Sequence, residues 1–312
     1  MKKILIISTN AIGDTYLSMS VIPALKEKIK EVQIDFIIEE HSLFLFKNEK
    51  LGNIFLVNRN LNESFGKLRN IRKIKYDYVF SFFPGVLNTF FFFGVRAKYK
   101  GGFPNIIRRT EWASRNQRGI VFDNRKIKFV NWSKDKNFLN RIIIILNNFN
   151  FGLSNLQKYN LDGGEISGTV NNTIVLHPFS RYDNKSLSLK QIEAIIDFFI
   201  QNGDVNFIIV GDEKILKIDK MPGKKVEIKV KPPIDDLINL VHCKLFISVD
   251  SFPLHIADAY NTNFLGIFST TEPRSVLINF NKAIVFNAKA LSEIPAENII
   301  SKIEQYLAGN EF

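Results

Sequence analysis

The stretch KKILIISTNAIGDTYLSMSVIPALK, residues 2–26, indicates how the first half of this chain folds. Its first seven residues form a short apolar run typical of a buried strand, and apolar residues recur at helical spacing over 15–29. Between these segments, Gly13 permits a tight turn and Asp14 stands where a helix begins. The stretch therefore predicts a strand, a loop and a helix with a carboxylate at the junction, although plain helix N-capping also favours Asp there.

The same alternation of strand and helix recurs along the chain, which indicates parallel sheets covered on both faces. In the first half we predict strands at 2–8, 32–39, 53–57 and 78–83, helices at 15–29, 65–74 and 137–149, and loops with short helices over 96–131. A polar, glycine-rich linker is predicted at 161–172. In the second half we predict strands at 173–179, 206–211, 226–230, 245–250 and 264–268, and helices at 189–201, 214–220, 234–241, 253–261 and 295–307.

The bulk composition is that of an ordinary globular protein, with 46% hydrophobic and 23% charged residues. The single cysteine, Cys243, excludes an intrachain disulfide and fits a reducing cytoplasm. The N-terminus lacks the apolar run of a signal peptide, and the most apolar stretch, 79–95, is interrupted by proline, asparagine and glycine. We therefore expect a cytoplasmic protein without a membrane span.

Charge is distributed unevenly between the two halves. Residues 1–160 carry 27 Lys/Arg and 12 Asp/Glu, a net charge of +15, whereas residues 161–312 carry 15 and 19, a net charge of −4. This asymmetry predicts an anionic partner for the first half, whether nucleic acid, anionic lipid or a phosphorylated acceptor. A generic basic surface is the alternative interpretation.

Three segments that follow strands in the second half carry candidate binding residues, because open parallel sheets bind ligands at the carboxyl ends of their strands. The segment HPFSRYDNKSLS, 177–188, places hydroxyls and cations before a helix, which suits a phosphate, although a loop with an S-x-x-Q capping box is the plainer interpretation. The segment SVDSFPLHIADA, 248–259, crowds Asp, Ser and His at a strand end and indicates an anion or sugar site. Asp212 and Glu213 could bind ribose hydroxyls or stand in a solvated turn.

Several common sites are not indicated. The chain has no G-x-G-x-x-G, no P-loop and no G-x-S-x-G elbow. Its four histidines have no metal-ligand spacing, and no common nucleic-acid module is present.

Together, these motifs resemble glycosyltransferase family 9, the heptosyltransferases. The matching positions are Gly13-Asp14 with Pro23, Leu25 and Lys26; His177-Pro178 with Lys185; Asp250-Ser251-Phe252-Pro253-Leu254-His255-Ile256-Ala257 against Asp-Ser/Thr-Gly-Pro-x-His-x-Ala; and Ser269-Thr270-Thr271-Glu272-Pro273 against Gly-Pro-Thr-x-Pro. Two family glycines are replaced by Phe252 and Ser269, and Lys-x-Trp-Pro appears only as residues 185–188. A phenylalanine narrows or reshapes the approach of the backbone to a donor diphosphate.

The resemblance implies an α/β GT-B fold, with two Rossmann-like domains whose parallel sheets face each other across a cleft. Residues 1–162 would bind the acceptor and residues 163–312 the nucleotide-sugar donor, with a C-terminal helix that can pack back on the first domain. The implied reaction is an inverting, metal-independent transfer of a sugar, by default heptose from ADP-heptose, to a lipopolysaccharide or surface-glycan acceptor. A UDP-, GDP- or dTDP-sugar donor, a sugar-nucleotide epimerase and a non-catalytic binding protein remain alternatives.

The resemblance also implies roles for individual residues, with Asp14 as the general base. The expected donor-binding residues are Ser180, Lys185, Asp212, Glu213, Asp250, Ser251, Phe252 and His255. The expected acceptor-binding residues are Asn10, Gly13, Arg108, Arg109, Arg115 and Arg118. We expect no metal, no resident cofactor and no nucleic acid. The expected partners are a nucleotide sugar and an anionic or lipid-linked glycan, with peripheral contact at the cytoplasmic face of the inner membrane.

Overall fold

A computed structural model describes residues 1–47, 49–102, 127–129, 137–161, 170–202, 205–218 and 226–309. The chain divides into two compact units, Met1–Leu161 and Asp162–Phe312. Each unit contains one parallel sheet, six-stranded within the described residues, with helices between successive strands. The predicted α/β class with two parallel-sheet domains is therefore confirmed.

The first unit has the sheet order β3-β2-β1-β4-β5-β6. Its strands are β1 (Lys2–Ser8), β2 (Val32–Glu39), β3 (Ile54–Val57), β4 (Tyr76–Ser81), β5 (Ala97–Gly102) and β6 (Ile127–Phe129). Its α-helices are α1 (Ile12–Met19), α2 (Val21–Lys28), α3 (Leu61–Ile71), α4 (Val86–Gly94) and α5 (Phe138–Asn147). The direction of strand order reverses between β1 and β4, and such a switch point is where doubly wound sheets bind ligands.

The second unit repeats this order as β12-β11-β10-β7-β8-β9. Its strands are β7 (Val170–His177), β8 (Asn206–Gly211), β9 (Val226–Val230), β10 (Cys243–Val249), β11 (Phe264–Phe268) and β12 (Ala283–Val285). Its α-helices are α6 (Leu189–Asn202), α7 (Ile234–Val241), α8 (Phe252–Ala259) and α9 (Ala296–Gly309). The closing helix α9 packs on α6 of this unit. The switch point lies between β7 and β10.

Apolar strands at the centre of each sheet form the cores. Ile4, Leu5, Ile6 and Ile7 of β1 are fully buried. In the second unit, strand residues such as Ile247 pack with helix residues such as Ile195 and Ile299. Burying each such side chain contributes about 1.5–3 kcal/mol. These cores hold the strand ends, and the loops that follow them, in fixed positions.

The helix predicted over 15–29 is divided at Ser20 into α1 and α2. Pro23 has no amide hydrogen, and its ring clashes with the carbonyl four residues earlier, that of Met19, so one continuous helix cannot form. The prediction that Gly13 makes a tight turn is wrong, because Gly13 lies within α1. N-capping by Asp14 is also wrong, because the N-cap is Ala11 and Asp14 lies in the first turn.

Residues 97–102, which were predicted as loop, form strand β5. The segment AKYKGG reads as polar, but Lys100 is buried and its Nζ donates to the carbonyls of Phe92, Phe93 and Val95 at the end of α4. Burial and the nearby charge of Arg72 lower the pKa of Lys100 to about 8. The strand was not predicted because lysine is normally exposed, whereas Lys100 is buried here.

Local capping explains other helix ends. Helix α3 begins four residues earlier than predicted because the Asn60 side chain accepts a hydrogen bond from the amide of Asn62. The predicted capping box at α6 is confirmed: the Ser188 amide donates to Gln191 Oε1 at 2.8 Å, and the Gln191 amide donates to Ser188 Oγ at 3.4 Å.

Candidate functional site

In the first unit, the buried side chain of Asn88 joins the two loops that meet at the switch point. Its Oδ1 accepts from the amide and the hydroxyl of Thr9 at 2.8 and 2.7 Å. Its Nδ2 donates to the carbonyl of Phe83 at 2.9 Å and to Asn10 Oδ1 at 3.3 Å. The segment that leads into α1 is therefore fixed by an amide from α4.

The predicted residues Asn10, Gly13 and Asp14 lie together at this junction of β1 and α1. The Asn10 side chain also donates to the Pro84 carbonyl at 3.3 Å, so Asn10 holds the loop in place. Asp14 is half-buried in the first turn of α1. A negative charge in the first turn of a helix interacts favourably with the positive end of the helix dipole.

In the second unit, Lys185, Asp250 and Thr271 connect the loops after β7, β10 and β11. Lys185 Nζ donates to Asp250 Oδ2 at 2.6 Å and to Thr271 Oγ1 at 2.7 Å. Thr271 Oγ1 donates to the same Asp250 oxygen at 2.6 Å. The structure thus brings two predicted donor-binding residues into one hydrogen-bonded cluster. Thr271 was not predicted, although it stands in the motif at 269–273 that carried part of the family resemblance.

The charge state of Asp250 follows from its surroundings. Burial, the largest influence, raises the pKa of this carboxyl, but the charges of Lys185 and His255 and the hydrogen bonds from Lys185 and Thr271 outweigh it and hold the pKa below its ordinary value. Asp250 is therefore an anion at neutral pH, and it neutralises the ammonium group of Lys185.

A second set of hydrogen bonds lies at the switch point itself. Ser251 Oγ is 3.1 Å from His177 Nδ1 and 3.1 Å from Ser248 Oγ. Ser180 Oγ donates to the carbonyl of Asp250 at 3.1 Å. Desolvation lowers the pKa of His177 to about 4, so its imidazole is neutral at neutral pH. His177 and Ser248 belong to the site but were not among the predicted site residues.

Helix α8 starts directly after this set. Ser251 is its N-cap but makes no side-chain capping bond. Pro253 lies in the first turn, half-buried Phe252 is the first helical residue, and buried His255 follows one turn in. Amides at a helix N-terminus attract anions, so this end of α8 suits a phosphate next to Lys185.

Asp212 and Glu213 differ in position. Asp212 Oδ1 accepts from the Lys214 amide at 2.9 Å, and the charge of Asp212 acts on His177, so this carboxylate lies near the hydrogen-bonded set. Glu213 is exposed and pairs with Lys231, whose hydrogen bond lowers the pKa of Glu213. The structure therefore brings Asp212, and not Glu213, toward the other predicted residues.

An open pocket of about 440 Å³ continues from Thr271. This volume lies within the roughly 300–1,000 Å³ of small-molecule sites. The pocket is lined by Ser269, Thr270, Thr271, Glu272, Pro273, Arg274, Phe280 and Val285. Among the described residues, none forms a hydrogen bond with the buried Ser269 hydroxyl. The pocket therefore offers both polar and apolar surface beside the cluster.

Some predictions fall on other parts of the chain. Arg108, Arg109, Arg115 and Arg118 lie outside the described residues. Among the residues that are described, no group of three or more His, Cys, Asp and Glu side chains could hold a metal ion. In the same ranges, no helix has both the length and the apolar character needed to cross a membrane.

Comparison with known proteins gives consistent similarities. The sequence model of glycosyltransferase family 9 (heptosyltransferase) matches residues 68–306. Lipopolysaccharide heptosyltransferase 3 of Escherichia coli is 28% identical over an alignment of 152 residues. The match covers 46% of this chain and 44% of that protein, so it spans less than half of the relative's length.

Solved structures extend the similarity of fold over nearly the whole chain. A family 9 glycosyl transferase of Veillonella parvula aligns with a TM-score of 0.73 and 15% identity, over 99% of this chain and 98% of that one. The Escherichia coli heptosyltransferase WaaC, solved with ADP-2-deoxy-2-fluoro heptose, aligns with a TM-score of 0.72 and 15% identity, over 97% and 99% of the two chains.

Proposed function

The chain belongs to glycosyltransferase family 9 (heptosyltransferase), and we propose that it is an inverting, metal-independent enzyme that transfers a sugar from a nucleotide-diphosphate sugar. The default donor is ADP-heptose, and the acceptor is a lipopolysaccharide or another surface glycan. The observation that carries this proposal is the cluster of Lys185, Asp250 and Thr271 at the switch-point edge of the second unit, inside the region that matches the family.

The second unit binds the donor in this proposal. Lys185 and the first-turn amides of α8 face the diphosphate, and Ser180 and Ser251 supply hydroxyls. Because the bond to the leaving diphosphate breaks in the transition state, negative charge grows on it, and fixed donors stabilise that charge. The carboxylate of Asp212 accepts hydrogen bonds from the ribose hydroxyls. Lys185 must then exchange part of its bonding to Asp250 for the phosphate.

The first unit supplies the base and the acceptor site. The Asp14 carboxylate accepts the proton of the acceptor hydroxyl while that oxygen forms a bond to the anomeric carbon. The bond from this carbon to the diphosphate breaks on the opposite face, so the anomeric configuration inverts and the nucleoside diphosphate leaves with the electron pair. An ionised carboxylate of ordinary basicity is adequate for this step if it is well positioned. Asn10 and Asn88 provide the positioning, because they fix the segment before α1.

A different donor is the second candidate. Phe252 occupies the position of a family glycine, and it is the first residue of α8, where the diphosphate would approach the backbone. A bulky side chain at this point favours a donor whose diphosphate lies differently, such as a UDP-, GDP- or dTDP-sugar.

The proposed partners and location follow from the proposed acceptor. A lipid-linked glycan is anionic and meets the basic first half of the chain, which carries a net charge of +15 over residues 1–160. The enzyme then acts at the cytoplasmic face of the inner membrane, where it contacts the lipid surface peripherally.

The transfer reaction tests the proposal through Asp14→Asn. We expect transfer of heptose from ADP-heptose to a heptose-deficient lipopolysaccharide core to fall by at least about 100-fold, since a general base contributes roughly 10²–10⁴. Donor binding stays unchanged. NMR of the wild-type product identifies the inverted anomer, and a chelator leaves the rate unchanged.

Asp235→Asn is the matched control, because Asp235 is also half-buried in the first turn of an eight-residue helix. Its transfer rate should equal that of the wild type. Wild-type turnover in Asp14→Asn would remove Asp14 from the role of base.

A further inference from the structure

Helices α3 and α4 of the first unit carry exposed apolar side chains. Phe65 is 58% exposed, Val86 67% and Phe93 48%. Helix α4 has the sequence VLNTFFFFG and contains no charged residue. Large apolar side chains are normally buried. A group of them exposed on one surface indicates that this surface contacts a membrane or another molecule.

The exposed side chains lie on neighbouring faces. One stripe along α4 is formed by exposed Val86, half-buried Phe90 and exposed Phe93, which are spaced i, i+4 and i+7. Phe90 also packs against the core of this unit. The rings of Phe65 and Phe90 meet edge to face, with their centroids 4.8 Å apart. The two helices pack closely, because a Cβ on Gly94 of α4 would lie 2.5 Å from Leu68 of α3. The apolar stripe of α4 is therefore continuous with Phe65 on α3.

A basic stripe runs beside the apolar one. Phe65, Arg69 and Arg72 are also spaced i, i+4 and i+7. The charge of Arg72 contributes to the lowered pKa of Lys100, whose ammonium lies on the Phe92 and Phe93 carbonyls. Leu68, one turn before Arg72, lies against Gly94, so Arg72 is near the Phe93 end of α4.

The cations in the second half of α3 and in the residues after it are not interleaved with carboxylates. The segment from Phe65 to Lys75 contains five exposed basic residues and no acidic one, namely Lys67, Arg69, Arg72, Lys73 and Lys75. The single carboxylate of α3, Glu63, lies in its first turn and accepts hydrogen bonds from Asn58 and Asn60.

We propose that the α3–α4 patch, formed by Phe65, Arg69, Arg72, Val86, Phe90 and Phe93, docks the protein on the surface of an anionic lipid bilayer. The phenylalanine side chains enter the boundary between headgroups and acyl chains, and the arginines bind lipid phosphates. A nucleic-acid backbone offers no apolar phase for Val86 and Phe93. A second copy would bring like charges together at Arg69 and Arg72. Of these three partners, the anionic bilayer is the one that offers an apolar phase for the phenylalanines and negative charge for the arginines.

This inference deepens the proposed membrane contact, and it is tested without donor or acceptor. The full chain is sedimented with vesicles of phosphatidylglycerol and phosphatidylethanolamine, and with vesicles of phosphatidylcholine alone. We expect binding to the anionic vesicles that weakens with added salt. Arg69→Gln with Arg72→Gln should weaken it about 25-fold, at about fivefold for each basic residue. Phe65→Ser with Phe93→Ser should weaken binding to the anionic vesicles by a similar factor. This loss should persist at high salt, because it comes from apolar contacts.

Matched controls come from the second unit. Ile200→Ser with Ile278→Ser removes two exposed apolar side chains, and Lys244→Gln with Lys302→Gln removes two exposed cations. Both pairs should leave vesicle binding unchanged, and circular dichroism checks that every variant is folded.

Three results would overturn the proposal. In the first, the patch variants bind vesicles as tightly as the controls. In the second, the wild type binds duplex DNA but not vesicles, and the patch variants lose the DNA. In the third, the wild type is a dimer that the patch substitutions dissociate. Nucleotide binding, measured on the same samples, shows separately whether the proposed donor site fails.

Discussion

At the scale of single residues, Lys185 and Asp250 form a pair that a ligand must rearrange. Lys185 Nζ lies 2.6 Å from Asp250 Oδ2, and the adjacent His177 is neutral. The cation is therefore already compensated before a diphosphate arrives. The bound phosphate replaces one anionic partner of the lysine by another, so Lys185 contributes to affinity by a charge-assisted hydrogen bond and not by an unpaired charge.

Lys185→Met should weaken binding of the nucleoside diphosphate about 10- to 100-fold, because a hydrogen bond to a charged group contributes about 1.5–3 kcal/mol. Titration calorimetry measures the dissociation constant. The control is Lys214→Met, which removes a half-buried lysine that pairs with Asp183 at 2.8 Å. Equal affinities in the two variants would show that Lys185 does not contact the phosphate.

His177 should make stability depend on pH. Its pKa is about 4 in the folded chain and 6.5 when unperturbed. His177 is therefore protonated below about pH 6.5 in the unfolded chain, but only below about pH 4 in the folded chain. The contribution of His177 to the free energy of unfolding is fully present above pH 6.5. It decreases by up to about 3 kcal/mol as the pH falls from 6.5 to 4, and it changes little below pH 4.

Thermal denaturation of the wild type and of His177→Phe across this pH range measures the effect. The variant has no imidazole, so its melting temperature should decrease less steeply between pH 6.5 and 4. Parallel curves for the two proteins would show that His177 titrates normally in the folded chain. Loss of the Ser251 contact lowers the curve of the variant by a constant amount and does not change its slope.

The sequence could indicate candidate site residues that directly follow a clear strand. It could not indicate residues whose role depends on contacts between loops that are distant in the sequence. The clustering of Ser180, Lys185, Asp250 and Ser251 could be predicted because each of them follows a strand. Thr271 and His177 were missed because their roles depend on which strands are neighbours, and local sequence does not encode strand order.

At the scale of elements, the periodicity of apolar residues predicts most helices and strands, but packing and capping determine where they begin and end. Apolar runs located most of the strands, since buried strands of parallel sheets are almost continuously apolar. Pro23 divides one predicted helix, Asn60 starts another early, and Lys100 conceals strand β5. Each departure comes from one side chain that acts on backbone groups close to it in the sequence.

Asn88 is the residue through which helix α4 supports the β1–α1 segment. Asn88→Ala leaves the Thr9 amide and the Phe83 carbonyl without their partner in a buried site. We expect the free energy of unfolding to fall by about 2–4 kcal/mol, because each unsatisfied buried group costs about 1–3 kcal/mol. Urea denaturation of the full chain measures it.

The control for this prediction is Asn60→Ala at the exposed N-cap of α3. Loss of an N-cap costs about 1 kcal/mol, so this variant should be clearly more stable than Asn88→Ala. Equal losses in the two variants would mean that water or backbone movement replaces the bonds of Asn88.

At the scale of the whole molecule, the chain contains two units with the same doubly wound strand order. The sequence predicted two alternating strand–helix halves because each strand and each helix has its own periodicity. The strand order, and with it the two switch points, became visible only in the structure. The charge asymmetry was readable from the sequence, whereas the arrangement of part of that charge beside exposed phenylalanines on α3 and α4 was not.

The central claim is that the second unit binds a nucleoside diphosphate, and a thermal-shift screen against ADP, UDP, GDP, CMP and dTDP tests it most directly. We predict that one diphosphate stabilises the chain, by about 2.7 kcal/mol at a hundredfold excess over its dissociation constant. A shift with ADP supports the heptose donor, and a shift with UDP, GDP or dTDP assigns another donor to the same site. The absence of a shift with every nucleotide would contradict the account, and Phe252 would then be the residue that closes the site.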